Sequence, residues 1–528
     1  MEKQTTILKD SIREEIDLKL KPLVEENLHL KNEVEKLNEM VKRLEYGKRE
    51  NNLIFYGYEE STEEKNTNIV KMDVALRRQF VGIFYNDMYK KYPEEKVVGL
   101  YRMTSPTLLI RDLDIAKQVL VKDFEAFSDR ATYFSKEGLG ENLFHADAET
   151  WKFLRHQFSS AFTTTKIKAM YGGLAVCGDN LVDYIEDISM KKPEQDVYKL
   201  VFKYSIGTIM SAAFGFNIDT FNNDMRLFEI VDEKFNNTYY NEMDMLIPGF
   251  LQKFNLSLFP EETISFCHQI IETGMKQQSS TKSEGKSMMD IILNLNKESE
   301  IYDVNQKFVN DKELPTDSSK ALKAAQAWVL FTAGYANITL SVTYVMYELA
   351  RNPDVQEKLR EEITTVLDKH NGKLSYEALK EMKYLNMVFD EILRMYPLTN
   401  GLIRNVSRDI KLEGANVNIN QGTVVAVSPY AIHHDERYYP DPEKFYPERF
   451  SPENVRDRHS CAFLPFGVGR RSCLGLQLGK IQFGVCVAKV LFKFRLETSK
   501  NTVTTIKFNP NRVLLTPAQD IYVNFVPT

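Results

Sequence analysis

One stretch, Phe466-Gly-Val-Gly-Arg-Arg-Ser-Cys-Leu-Gly475, constrains this chain more than any other. It sets a single cysteine, Cys473, among Gly467, Gly469 and Gly475, with Arg470 and Arg471 just before it. Glycine-rich backbone can come close to a flat, bulky partner and adopt φ values that other residues avoid. A thiolate is an electron-donating metal ligand, and adjacent cations and backbone N–H groups keep it deprotonated. A helix is predicted to start at about Leu474, which adds the positive end of its dipole beside the sulfur. These features suit the seat of a heme iron with one axial thiolate. The alternative is a buried free cysteine in a glycine-rich turn.

The pattern Phe466-x-x-Gly469-x-Arg471-x-Cys473-x-Gly475 resembles the heme-binding signature of the cytochrome P-450 family. The resemblance implies heme b, with Cys473 as the iron ligand and Phe466, Gly469 and Gly475 forming the cradle. Other elements follow in the family's order. Glu391-Ile-Leu-Arg394 lies in a helical pattern, and residues three apart share a helix face and can pair. It is followed by Pro397 and by Phe445-Tyr-Pro-Glu-Arg449-Phe450. By resemblance, Glu391, Arg394 and Arg449 form a structural charge triad behind the heme. Trp151-Lys-Phe-Leu-Arg155 resembles the family's helix at the heme edge, and Trp151 and Arg155 share a face. Arg404 sits where the family supplies another propionate contact. Together with Arg471, these residues are expected to hold propionates, because guanidinium forks suit carboxylates.

The other side of the heme departs from the family. Its central helix carries (Ala/Gly)-Gly-x-(Asp/Glu)-Thr, and the matching stretch here is Phe331-Thr-Ala-Gly-Tyr-Ala-Asn-Ile-Thr339. Ala333 and Gly334 fit, and the glycine is expected to leave room for oxygen or substrate. Ala336 replaces the acid and Asn337 replaces the alcohol. Alanine relays no proton, while Asn337 can hydrogen-bond or order a water but does not titrate. Thr339 lies about 200° further round the helix and is a poor substitute.

Before this domain the chain reads differently. Ile16, Leu23, Leu30, Leu37 and Leu44 recur at heptad spacing, with Leu20, Asn27, Val34 and Val41 between them. That predicts a coiled coil, with Asn27 as a register-setting polar residue and self-association through the seam. With Arg49-Glu-Asn-Asn-Leu-Ile-Phe-Tyr-Gly57, residues 1–66 resemble the leader of proteins encoded by insect non-LTR retrotransposons. They stand where the family carries its membrane anchor, and no spanning segment is expected there or later in the chain. Residues 72–528 read as one heme-thiolate domain. It is mainly α with a smaller β part (α+β): a first helix near Gln79–Tyr92, a strand pair near Val97–Arg102 and Thr107–Arg111, long helices to Tyr396, and a polar loop over Lys276–Lys286. A β-rich segment near 401–466 and a helix to about Phe492 complete the pattern.

Composition narrows the remaining choices. A net charge of −6 gives no reason to expect nucleic-acid binding. Five cysteines without framework spacing argue against a disulfide scaffold or a zinc site. His433-His434 is read as a surface or packing feature in a loop.

The resemblance implies a monooxygenase that takes electrons from NADPH through NADPH-cytochrome P-450 reductase and inserts one atom of O2 into a small lipophilic substrate. Lys122-Asp-Phe-Glu-Ala-Phe-Ser-Asp-Arg130 resembles the insect branch that handles xenobiotics. The implied location is the cytoplasmic face of the endoplasmic reticulum membrane. The apolar, proline-broken Met245–Phe259 stretch is expected to make a peripheral membrane contact, and Arg470, Lys480, Lys489 and Lys493 are expected to form a basic docking patch. The altered helix motif keeps two alternatives open. One is a heme-thiolate isomerase or dehydratase needing neither O2 nor NADPH, and the other is a heme-binding protein with impaired catalysis.

Overall fold

A computed structural model describes residues 79–102, 105–130, 139–236, 259–280, 287–295 and 316–528. The predicted coiled-coil leader and the apolar stretch before Phe259 lie outside the described residues.

The principal helices are α1 (Val81–Lys91), α2 (Ala148–Ser159), α3 (Thr164–Ser189), α4 (Val197–Phe214), α5 (Arg226–Asn236), α6 (Glu261–Ser280), α7 (Thr316–Arg351), α8 (Pro353–Lys369), α9 (Lys383–Met395), α10 (Pro429–His433) and α11 (Leu476–Lys493). The strands are β1 (Val97–Arg102), β2 (Ser105–Ile110), β3 (Glu194–Asp196), β4 (Leu402–Asn405), β5 (Ile410–Leu412), β6 (Val417–Ile419), β7 (Val424–Val427), β8 (Phe494–Thr498) and β9 (Tyr522–Pro527). Long helices with a smaller strand content give the expected α+β class.

Local chemistry sets the helix ends. Asp147 caps α2 by accepting from the Thr150 N–H, and Asp196 caps α4 by accepting from Lys199. Gly215, at φ 74°, ends α4 in the left-handed region that glycine enters without strain. The 36-residue α7 is about 54 Å long at 1.5 Å per residue. Its middle is enclosed, with Trp328, Phe331, Tyr335 and Tyr344 almost fully buried. Each such aromatic contributes roughly 1.5–3 kcal/mol by leaving water. By length and composition, Lys320–Arg351 could cross a bilayer, but 78% of its apolar window is buried inside the protein. That corrects the expectation that no later segment is long and apolar enough, and burial makes this one a core helix.

One core joins α2–α4, α6–α9 and α11, with α7 and α4 in its centre. A second lies between α1 and the four-stranded sheet β1-β2-β7-β4. In that sheet β1/β2 and β4/β7 are antiparallel and β2/β7 is parallel, with Leu108 opposite Val425. The C-terminal sheet is β3-β9-β8, and β5 pairs with β6.

Four local expectations change. The predicted polar loop over Lys276–Lys286 starts too early, because α6 continues to Ser280. Strand β2 begins at Ser105 rather than Thr107, and α11 begins at Leu476 rather than Leu474. His433 ends a short helix instead of standing in a loop, and both His433 and His434 are buried, so the pair packs. His433 Nε2 accepts from the Leu464 N–H at 2.9 Å, and burial holds the ring well below the usual histidine range.

Candidate active site

The cysteine segment folds back on itself before α11. The Cys473 N–H donates to Phe466 O at 2.9 Å, and the Ser472 N–H donates to Gly469 O at 3.1 Å. Gly469 takes φ +77°, and a Cβ there would stand 2.4 Å from Leu120 O, so only glycine fits. Gly475 has an ordinary φ of −80°. A Cβ on it would meet Cys473 Sγ at 3.8 Å, so its bare backbone borders the sulfur itself. Phe466 stacks on Phe389 of α9 with centroids 6.0 Å apart, fixing the segment against the core.

Cys473 is accessible to solvent although protein surrounds it closely. Desolvation raises its thiol pKa, while the Gly475 and Leu476 N–H groups and the charges of Arg155 and Arg130 pull it down. The expected helix-start effect is therefore present, delivered by backbone N–H groups. A soft cation is what would complete the ionisation.

Arg155 and Arg130 act on the sulfur directly, and Arg404 and Arg471 adjoin Arg130 in the same cluster. Arg155 Nη1 donates to Ser472 O at 2.6 Å and clamps the cysteine segment. Arg471 donates to Ser128 O at 3.0 Å and Ala146 O at 3.3 Å, and its guanidinium lies 4.2 Å from the centroid of the Trp151 ring. Trp151 thus supports Arg471 from α2. Arg404 donates to Ile403 O at 2.8 Å. Arg130 donates to Arg471 O at 3.3 Å and covers the Phe144 ring.

Among the described residues none of the four arginines lies within ion-pair distance of a carboxylate. Three buried nitrogens, Arg130 Nε, Arg404 Nε and Arg471 Nη1, have no hydrogen-bond partner. Burial and neighbouring cations pull Arg471 down to about 9, and burial pulls Arg404 down to about 10. Unpaired buried charge of this kind is costly unless anions arrive. A group bearing two carboxylates and a soft metal fits these donors: propionates for the arginines and iron for the sulfur.

The sequence reading missed Arg130 and His145. No spacing motif marks Arg130, although it ends a segment already singled out by resemblance. Burial and the Arg130 charge hold His145 neutral, with a pKa of about 3.

Behind this seat, Arg394 grips Glu391 with two hydrogen bonds, Nε to Oε2 at 2.7 Å and Nη2 to Oε1 at 3.0 Å, and both side chains are fully buried. The Tyr446 N–H adds a third bond to Glu391 at 2.9 Å. Arg449 Nε approaches Glu391 Oε1 at 3.4 Å as an ion pair, without hydrogen-bond geometry. Arg394 also donates to His433 O at 3.0 Å. The three residues come together as the resemblance implied.

The opposite wall is α7. From Leu322 to Ala350 its residues are buried except Lys323, Val329, Ala333, Gly334 and Asn337. Val329, Ala333 and Asn337, at i, i+4 and i+8, form one accessible stripe down an otherwise enclosed helix. The Asn337 Nδ2–H donates to Ala333 O at 2.9 Å. The next residue, Ile338, lies against Gly479 in the first turn of α11, so this part of α7 faces the start of the helix that follows Cys473.

One expectation on α7 is corrected. The space that Gly334 leaves is not room for oxygen or substrate, because a Cβ there would stand 2.1 Å from Ile209 Cδ1 of α4. That glycine allows α4 and α7 to approach. Ala336, at the position of the family's acid, is buried in the core and lies off the accessible stripe. Thr339 is fully buried and bonds Tyr335 O, which confirms it as a poor substitute for the alcohol.

Each member of the predicted basic patch has an acidic partner. Arg470 pairs with Glu125 at 2.6 Å, Lys480 with Asp390 at 3.7 Å, Lys489 with Asp179, and Lys493 with Glu186 at 3.9 Å. An unopposed basic face over these four residues is therefore absent.

Residues 67–525 match the family described as Cytochrome P450. The chain is 43% identical over 456 residues to "Cytochrome P450 6B2" of Helicoverpa armigera, covering 86% of this chain and 90% of that protein. It is 42% identical over 455 residues to "Cytochrome P450 6B1" of Papilio polyxenes, covering 86% and 91%. It is 32% identical over 462 residues to "Probable cytochrome P450 6d5" of Drosophila melanogaster, covering 85% and 90%.

Proposed function

The chain belongs to the cytochrome P450 family, and on that premise we propose that it oxidises a small lipophilic substrate with O2 and with electrons from NADPH, delivered by NADPH-cytochrome P-450 reductase. The family's chemistry is heme-thiolate monooxygenation, and the enzyme class follows from the relatives. The observation that carries the reading is the pairing of an accessible Cys473 with arginines that have no carboxylate among the described residues. Bound there, heme supplies the binding and reductive activation of O2.

This chain's own residues hold and orient the group. Cys473 is the iron ligand, and the N–H groups of Gly475 and Leu476 hold its negative charge. Arg130, Arg155, Arg404 and Arg471 hold the propionates, with Trp151 under Arg471. Phe466 and Gly469 fix the backbone of the cradle. Glu391, Arg394 and Arg449 keep the segments behind it in register. On the facing wall Ala333 leaves an opening and Asn337 borders it. No acid lies on that stripe, so protons arrive by water alone, which makes oxygen use slower or leakier.

The same absence favours a second reading, in which the enzyme isomerises or dehydrates its substrate without O2 or NADPH. Substrate-dependent NADPH and O2 uptake, measured with the reductase present, separates the two. The first reading expects both to accompany product, whereas product without either overturns it.

Residues 72–528 form the catalytic domain in this proposal, working at the cytoplasmic face of the endoplasmic reticulum membrane. Residues 1–66 act as a self-associating coiled-coil leader. Sequencing the 5′ end of the transcript tests whether that leader belongs to the mature chain.

A further inference from the structure

We propose that Asn337 is a specificity-determining residue, whose carboxamide oxygen accepts a hydrogen bond from a hydroxyl or N–H group on an otherwise apolar substrate. The proposal deepens the heme-thiolate reading and rests on it, because the stripe on α7 is a substrate surface only if chemistry occurs at Cys473.

The geometry gives Asn337 a fixed orientation. Its Nδ2–H donates to Ala333 O, one helical turn back, at 2.9 Å. The amide cannot be turned round, because Oδ1 against a carbonyl oxygen would set acceptor against acceptor. Pinned in this way, the side chain directs Oδ1 away from its own helix. Among the described residues Oδ1 has no protein partner. The other members of the stripe, Val329 and Ala333, offer only alkyl surface. Gly334 gives no further polar surface, since its open side is filled by Ile209. The stripe is thus an apolar wall bearing one oriented acceptor.

An apolar ligand laid on this wall would strip water from Oδ1 and return nothing. A ligand with a hydroxyl or N–H at that point replaces the lost water bond. A site with a placed acceptor discriminates against ligands that lack the donor, whereas an all-alkyl wall has no such preference. Ala333 contributes room beside the acceptor, so the donor can sit on the ligand's ring or chain rather than on a slender arm. The substrate class is therefore a compact lipophilic alcohol, phenol or amine, held with its polar group against α7.

The test uses the heme-loaded holoenzyme and matched probes, indane against 1-indanol and naphthalene against 1-naphthol. Dissociation constants come from the heme absorbance change on ligand binding, for wild type, Asn337→Leu and Asn337→Ala. The hydroxylated member of each pair is expected to lose about tenfold in affinity relative to its hydrocarbon in both variants. Asn337→Leu keeps the branching and heavy-atom count of the side chain while Asn337→Ala removes them, so a loss shared by both variants separates hydrogen bonding from shape. An unchanged alcohol-to-hydrocarbon ratio in both variants, or no alcohol preference in wild type, overturns the proposal. Failure of the underlying reading looks different: the wild-type protein would then lack the reduced carbonyl spectrum of a heme thiolate, whatever it bound.

Discussion

The two walls of the site are built on opposite principles. The wall with Cys473 is dense with charge. It has arginines facing no carboxylate among the described residues, partnerless buried guanidinium nitrogens, and the fully buried Glu391–Arg394 pair just behind. The α7 wall has almost no charge, presenting Val329, Ala333 and Asn337. The first is organised around a group it must hold. The second contributes shape and one oriented amide. The comparison separates two properties that family membership tends to merge. On the proposed reading, retaining heme depends on the charged wall, while handling oxygen and choosing substrate depend on the other.

The hardest attempt to break this division is Cys473→Ala. It should abolish turnover and the thiolate-type carbonyl spectrum, and leave a chain whose arginines can still attract heme. Next is Glu391→Gln, which leaves the buried Arg394 and the nearby Arg449 short of their anion. Removing one partner of a buried pair costs about 3–5 kcal/mol, so the yield of folded, heme-loaded protein and its melting temperature should both fall. Arg471→Leu should be milder. Loss of a charged hydrogen bond of about 1.5–3 kcal/mol would speed heme loss to apomyoglobin with little change in spectrum type. Changing the α7 wall instead, with Ala336→Glu and Asn337→Thr together, should leave heme retention intact and raise the product formed per NADPH consumed. Ala336 is buried, so the glutamate must displace packed neighbours, and some loss of stability is expected as well.

The smallest effect concerns pH. Burial raises the Cys473 thiol above its ordinary value, so the metal-free protein holds it protonated near neutrality. Heme must displace that proton, so affinity should rise with pH, by up to about tenfold per unit while the thiol remains protonated. Uptake measured at pH 7 and pH 8 checks the sign, and affinity that falls as pH rises would contradict it.

Much of the charged wall was legible in the sequence, because its chemistry requires particular residues at fixed spacing. Cys473 and its glycines, Glu391 with Arg394, Trp151 with Arg155, and Arg404 all lie close to the seat or behind it. Arg130 and His145 escaped, because they reach the site by tertiary packing from a stretch without motif spacing. The α7 wall was legible in residue identity and misread in direction. Gly334 matched a motif, yet its missing side chain faces Ile209 on α4, which only helix packing determines. The basic patch failed for a similar reason. Its lysines and arginine were read along the chain, while Glu125, Asp179, Glu186 and Asp390 meet them across the fold.

A further contact was invisible to sequence reasoning. Asp232 of α5 accepts from Tyr335 Oη at 2.8 Å and pairs with Arg512 at 3.1 Å, joining α5, α7 and the C-terminal loop. Tyr335 follows Gly334 directly, so the helix that carries the stripe is tied at this point to two other segments.

The reduced carbonyl difference spectrum tests the division between the walls most directly, recorded side by side for wild type, Cys473→Ala and the Ala336→Glu/Asn337→Thr double variant. The thiolate-type band is expected in wild type and in the double variant, and its loss is expected in Cys473→Ala. A wild-type protein without that band, or a Cys473→Ala protein that keeps it, would contradict the account.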